Sequence, residues 1–90
     1  MGHTVQQRPK LLARIRRLKG QMEAIERALE TDAPCGDVLN LVASVRGAVN
    51  GLTSELIEDH IREHVMQAEN KTAALKGATE LIEVVKMYLK

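Results

Sequence analysis

Aromatic side chains are nearly missing from this chain, which has one Tyr, no Phe and no Trp in 90 residues. Stacking of single-stranded bases on aromatic platforms is thereby disfavoured as a binding mode. A core must be filled by Leu, Ile, Val, Ala and Met, which suits helix-on-helix packing better than a β-sandwich. Cysteine is scarce too. The single Cys35 rules out an internal disulfide and leaves three roles: a small buried hydrophobe, a reactive thiol or a metal ligand. Apolar runs are short. None approaches the roughly 18 residues of a membrane span, and no apolar segment of a signal peptide is present. The expected protein is soluble and cytoplasmic, with no membrane partner. A single domain over residues 1–90 is expected. So small an aliphatic chain buries a modest core, and a partner subunit is expected to complete it.

Acid is also absent from the beginning of the chain. Arg8, Lys10, Arg14, Arg16, Arg17 and Lys19 all precede the first carboxylate, Glu23. These six leave seven basic residues against twelve acidic ones, a balance of −5 in a chain whose net charge is only +1. Such polarity provides one face for a polyanion, the alternative being an ordinary solvated helix face.

What is present in quantity is helical periodicity. Leu11, Ile15, Leu18, Met22, Ile25 and Leu29 step by 4, 3, 4, 3 and 4, which predicts a helix from about residue 5 to 30 capped by Thr4. TDAPCG, residues 31–36, predicts a turn. A second stripe runs through Val38, Leu41, Val42, Val45, Val49, Leu52 and Leu56. It keeps its phase across Asn50-Gly51, so one long helix over about 37–66 is expected despite the turn-forming pair. Gly47 and Gly51 then offer a close-approach surface, as does Gly20 in the first helix. After QAENKT, the spacing of Ala74, Ala78, Leu81, Val85 and Tyr88 predicts a last helix of about 18 residues. With no strand-like alternation, the fold class is all-α, a three-helix protomer.

Two stretches carry chemistry. His60-Ile61-Arg62-Glu63-His64 fits the H-x-x-E-H pattern of one class of zinc peptidases. A catalytic zinc needs a third protein ligand and a cleft, yet only Glu69, Glu80 and Glu83 follow and no second domain remains. The chain is therefore not expected to be an enzyme. Two histidines four apart still share a helix face and can grip one ion, with Glu58 or Glu63 assisting. His60 falls about 20° round the helix from Val49, so it continues the apolar stripe, where a satisfied core histidine is the plainer alternative. Cys35 lies about 37 Å from His60 along a straight helix. The two can meet only between chains, as when two copies pack their long helices antiparallel. His3 and the Gly2 amine, exposed once Met1 is removed, could close over a metal held elsewhere. On the first helix, Lys10, Arg14 and Arg17 share a face away from the apolar stripe and suit the phosphates of duplex DNA.

The segments RIRRLKGQMEAIERALE (14–30), Cys35, VRGAVNGLTSELIEDHIREH (45–64) and VVKMYLK (84–90) together resemble the CsoR/RcnR family of bacterial metal- and formaldehyde-responsive repressors. The likeness spans essentially the whole chain. It implies an antiparallel dimer forming a four-helix bundle, assembled as a homotetramer that binds double-stranded operator DNA and releases it on binding an effector. DNA contacts would come from Lys10, Arg14, Arg16, Arg17, Lys19 and Arg46. Copper(I) sensors of the family look like Cys, His, Cys, whereas this chain has His64 in the last position. Sulfur-responsive members need a second cysteine. The nickel/cobalt members resemble it most, through His3, Cys35, His60 and His64 with assistance from the Gly2 amine and Glu63. Ni(II) or Co(II) is the implied effector, controlling metal efflux, with Zn(II) a competitor. The alternative is a formaldehyde-responsive repressor using Cys35 and the N-terminal amine. Those members look like Pro at position 2 and an acid near 64, and Gly2 and His64 depart from both. A metal buffer or helical adaptor without DNA affinity is the remaining class.

Overall fold

A computed structural model describes residues 7–90, so Gly2, His3 and the expected cap Thr4 lie outside the described residues. Three α-helices follow one another: α1 (Arg8–Glu30), α2 (Cys35–Ile61) and α3 (Lys71–Tyr88). A single π-helical turn, Arg62–Met66, extends α2. No strand occurs among the described residues. The chain divides into two compact units, one spanning Gln7–Thr53 and the other including Ser54–Lys90.

In the first unit, α1 starts at Arg8 rather than near residue 5, with Pro9 in its first turn. Proline lacks an N–H and its ring collides with a preceding turn, so a helix running through it is best begun just ahead of it. The α1 C-terminus closes as a Schellman motif. Ala33 N donates to Ala28 O at 2.9 Å and Asp32 N to Leu29 O at 3.4 Å, with Asp32 left-handed at φ 55°. Arg27 O accepts from both Thr31 N at 3.0 Å and Thr31 Oγ1 at 2.8 Å. The predicted turn is shorter than TDAPCG: Cys35 and Gly36 are already helical. Pro34 supplies the reason, because its carbonyl accepts from Asp37 N at 2.9 Å and Val38 N at 3.2 Å. Asn50-Gly51 stays inside α2 despite its turn propensity.

The second unit holds the end of α2, the π-turn and α3. Gln67 N donates to Arg62 O at 2.9 Å, the i to i+5 bond of a π-helix. The expected end of the long helix at residue 66 is met, but its last five residues are wound more widely than an α-helix. Asn70 caps α3 by accepting from Ala73 N at 2.8 Å through Oδ1. α3 then packs back on the π-turn.

No hydrophobic side chain among the described residues is buried within the chain. Among the described residues, Gly77 alone is buried. The apolar stripes are present as predicted but half-covered: Ile15 is 39 % exposed, Val42 46 % and Val85 37 %. Apolar helix faces this exposed do not make a finished core.

Candidate functional site

The last turn of α2 and the π-turn bring His60 and His64 together. Their ring centroids lie 4.9 Å apart, tilted by 41°. At that separation, nitrogens from both rings can reach one ion at metal–nitrogen distances of about 2.0–2.1 Å. Both side chains are half-buried. His60 Nε2 lies 2.9 Å from the carbonyl oxygen of Gly77 on α3. A carbonyl only accepts, so Nε2 is the donor, and in the neutral imidazole Nδ1 keeps its lone pair. Metal-bound histidines are held in this way, by a bond from the other ring nitrogen to a backbone carbonyl. Beside the pair, His64, Ala73, Lys76, Gly77 and Glu80 line an open cavity of about 240 Å³.

The donor set is incomplete by itself. Among the described residues, no three His, Cys, Asp or Glu side chains come together as a metal cluster. The Glu58 carboxylate pairs with Arg62 at 3.4 Å on an exposed face. That ion pair is a solvated i, i+4 contact, worth a few tenths of a kcal/mol at most. Glu63 is half-buried in the π-turn. Cys35, a free and exposed thiol, stands at the start of α2 in the other unit. The imidazole pair thus fits a metal as part of a site that needs a further ligand from elsewhere.

The basic stretch sits where a helix least favours it. No acid occupies the first turn of α1, which instead carries Arg8 and Lys10. Positive charge there opposes the helix dipole by roughly 0.3–1 kcal/mol per group, so helix stability does not account for the placement. Lys10, Arg16, Arg17 and Lys19 are exposed, as is Arg46 on α2. Arg14 is different. It is half-buried, and its Nη1 stands 3.0 Å from where a Cβ on Gly51 would be. Gly51 therefore meets an arginine side chain, whereas a Cβ at Gly20 or Gly47 would touch nothing within 4 Å among the described residues.

The close-approach glycine is Gly77, a position that apolar spacing does not mark. A Cβ there would collide with the His64 carbonyl oxygen and lie 2.7 Å from its carbonyl carbon. The available signal was the row of small residues on α3: Ala73, Ala74, Gly77 and Ala78.

A family profile described as metal-sensitive transcriptional repressor matches residues 7–87. The chain belongs to this family of repressors. Its membership in the CsoR/RcnR group, expected from the motifs, is thereby established, and the repressor is not an enzyme. It is 33 % identical over 90 residues to the transcriptional repressor RcnR of Salmonella paratyphi B, covering all of both chains. An uncharacterised protein encoded in the bioA 5′ region of Serratia marcescens is 47 % identical over 91 residues, again covering both chains fully. Among solved structures, it is similar to a glutamate-to-histidine variant of the formaldehyde-responsive regulator FrmR from Salmonella enterica serovar Typhimurium. That similarity has a TM-score of 0.87 and 38 % identity, covering 96 % of this chain and 98 % of the other. A repressor of this family binds DNA and oligomerises. No helix among the described residues is long and apolar enough to cross a membrane.

Proposed function

We propose that this repressor occupies operator DNA in the absence of effector and leaves it when Ni(II) or Co(II) binds, so controlling metal efflux. Zn(II) is the competing ion, since imidazole and a lone thiolate also suit it. The observation that carries the reading is the His60–His64 pair at 4.9 Å, with His60 held through Nε2.

The chain assembles as an antiparallel dimer with a four-helix bundle, two dimers making the tetramer. The half-covered apolar stripes of the described helices support this, because each needs another surface to bury it. Antiparallel pairing of the long helices carries Cys35 of one subunit to the histidine pair of the next. Cys35 then supplies a thiolate, His60 its Nδ1 and His64 an imidazole nitrogen. His3 and the Gly2 amine complete the set, with Glu63 in support. Once bound, the ion supplies the crosslink among these donors. Drawing the N-terminal segment in displaces α1, whose Lys10, Arg14, Arg16, Arg17 and Lys19 hold operator phosphates together with Arg46. By reciprocity, the DNA-bound form takes the effector more weakly than the free form.

The exposed Cys35 thiol and the similarity to a formaldehyde-responsive regulator favour a second reading. The thiolate adds to the formaldehyde carbon to give a hydroxymethyl thioether. The N-terminal amine then displaces that hydroxyl as water, leaving a methylene bridge between sulfur and nitrogen. No electrons are gained or lost.

Fluorescence anisotropy of a labelled fragment of the gene's own promoter, at fixed salt, tests both readings. Release by Ni(II) or Co(II) at stoichiometric concentrations supports the first. Release by formaldehyde alone would replace it with the second, and no binding to the fragment would remove the repressor mechanism proposed here.

A further inference from the structure

Two independent contacts converge on Gly77. His60 spends its Nε2 proton on the Gly77 carbonyl oxygen at 2.9 Å. The backbone of His64 occupies the space a side chain at position 77 would need, 2.7 Å from its carbonyl carbon and 3.0 Å from its Cβ. The obstruction is backbone, which a rotamer change cannot relieve. Gly77 is also the one buried residue among those described, so α3 is seated there more closely than anywhere else.

The π-turn belongs to the same arrangement. Arg62–Met66 contains no Pro or Gly, and no local sequence feature explains why the helix widens there. Its wide turn carries His64 in the middle, against the face of α3 that lacks a side chain.

Resting on the reading of the histidine pair as the effector site, we propose that Gly77 is its positioning residue. Its carbonyl locks His60 in the Nε2–H tautomer, and its missing side chain lets α3 hold the π-turn so that His64 stands beside His60. The effector then meets two imidazoles whose orientation is already fixed, and any shift of those rings on binding acts directly on α3. Residues that orient ligands in this way typically change metal affinity by about 10- to 100-fold when altered.

Long-range ¹H–¹⁵N NMR of the metal-free full-length protein, with imidazoles neutral, reads the tautomer directly. A single Nε2–H tautomer at His60 is expected. Tautomers exchanging freely at His60 in the unaltered protein would overturn the proposal, and this measurement needs no variant that must fold. Gly77→Ala, compared at equal helicity and oligomeric state, is expected to release the tautomer and weaken Co(II) binding about 10- to 100-fold. A folded Gly77→Ala that keeps both tautomer and affinity also overturns it. Absence of Co(II) binding by the unaltered protein would instead remove the metal reading, while the metal-free tautomer would still decide the role of Gly77.

Discussion

His60 and Gly77, 17 residues apart, are joined by a 2.9 Å hydrogen bond from the imidazole Nε2 to the glycine carbonyl. That bond ties the end of the long helix to α3 and fixes which ring nitrogen remains available. If the histidine pair is the effector site proposed above, effector chemistry and tertiary packing meet in this one contact.

Cys35 and the basic helix should be separable. Cys35→Ala is expected to abolish release of DNA by metal while leaving promoter affinity within about twofold, since an exposed thiol contributes little packing. Anisotropy with and without Ni(II) checks it. Loss of DNA binding itself would mean that Cys35 serves the fold.

Arg17 is exposed on α1, whereas Arg14 is half-buried against Gly51. Arg17→Ala is expected to weaken binding similarly on all DNA sequences and to lower the slope of log affinity against log salt by about one. An unchanged slope would move the phosphate face off this part of α1.

The apolar stripes made the three helices legible in sequence, because burial on one face imposes a period near 3.6 residues whatever covers that face. The start of α2 was less legible. Asp32, Pro34 and Gly36 all signal turns, yet the chain needs only residues 31–34 to reverse and Gly36 is helical. The pairing of His60 with His64 followed from their spacing. The π-turn and Gly77 did not, since both depend on how closely α3 approaches, which no local pattern encodes. Within the described chain, Gly47 faces open space and Gly51 one arginine.

Asp32 adopts φ 55°, a left-handed conformation that disfavours a side chain by roughly 1–2 kcal/mol, less for Asp than for most residues. Asp32→Gly should therefore stabilise the Schellman turn by up to about 1 kcal/mol, raising the melting temperature by a few degrees at fixed protein concentration. A lower melting temperature in calorimetry would indicate that the Asp32 side chain holds the turn.

Asn70 is the cap of α3, accepting from Ala73 N at 2.8 Å. Asn70→Ala is expected to destabilise the chain by about 1 kcal/mol, and Asn70→Asp to retain most of that. Because α3 seats the histidine pair, Asn70→Ala should also loosen Co(II) binding modestly. Hydrogen exchange across residues 71–78 reads the fraying, and protection unchanged from the unaltered protein would contradict it.

The central claim is that His60, His64 and Cys35 bind one metal ion per chain. An anaerobic Co(II) titration of the reduced protein, followed by absorption, tests it most directly. A thiolate-to-cobalt band in the near ultraviolet that saturates at one equivalent per chain, with weak d–d bands, is expected. A titration that saturates without a thiolate band would contradict it, leaving Cys35 unbound.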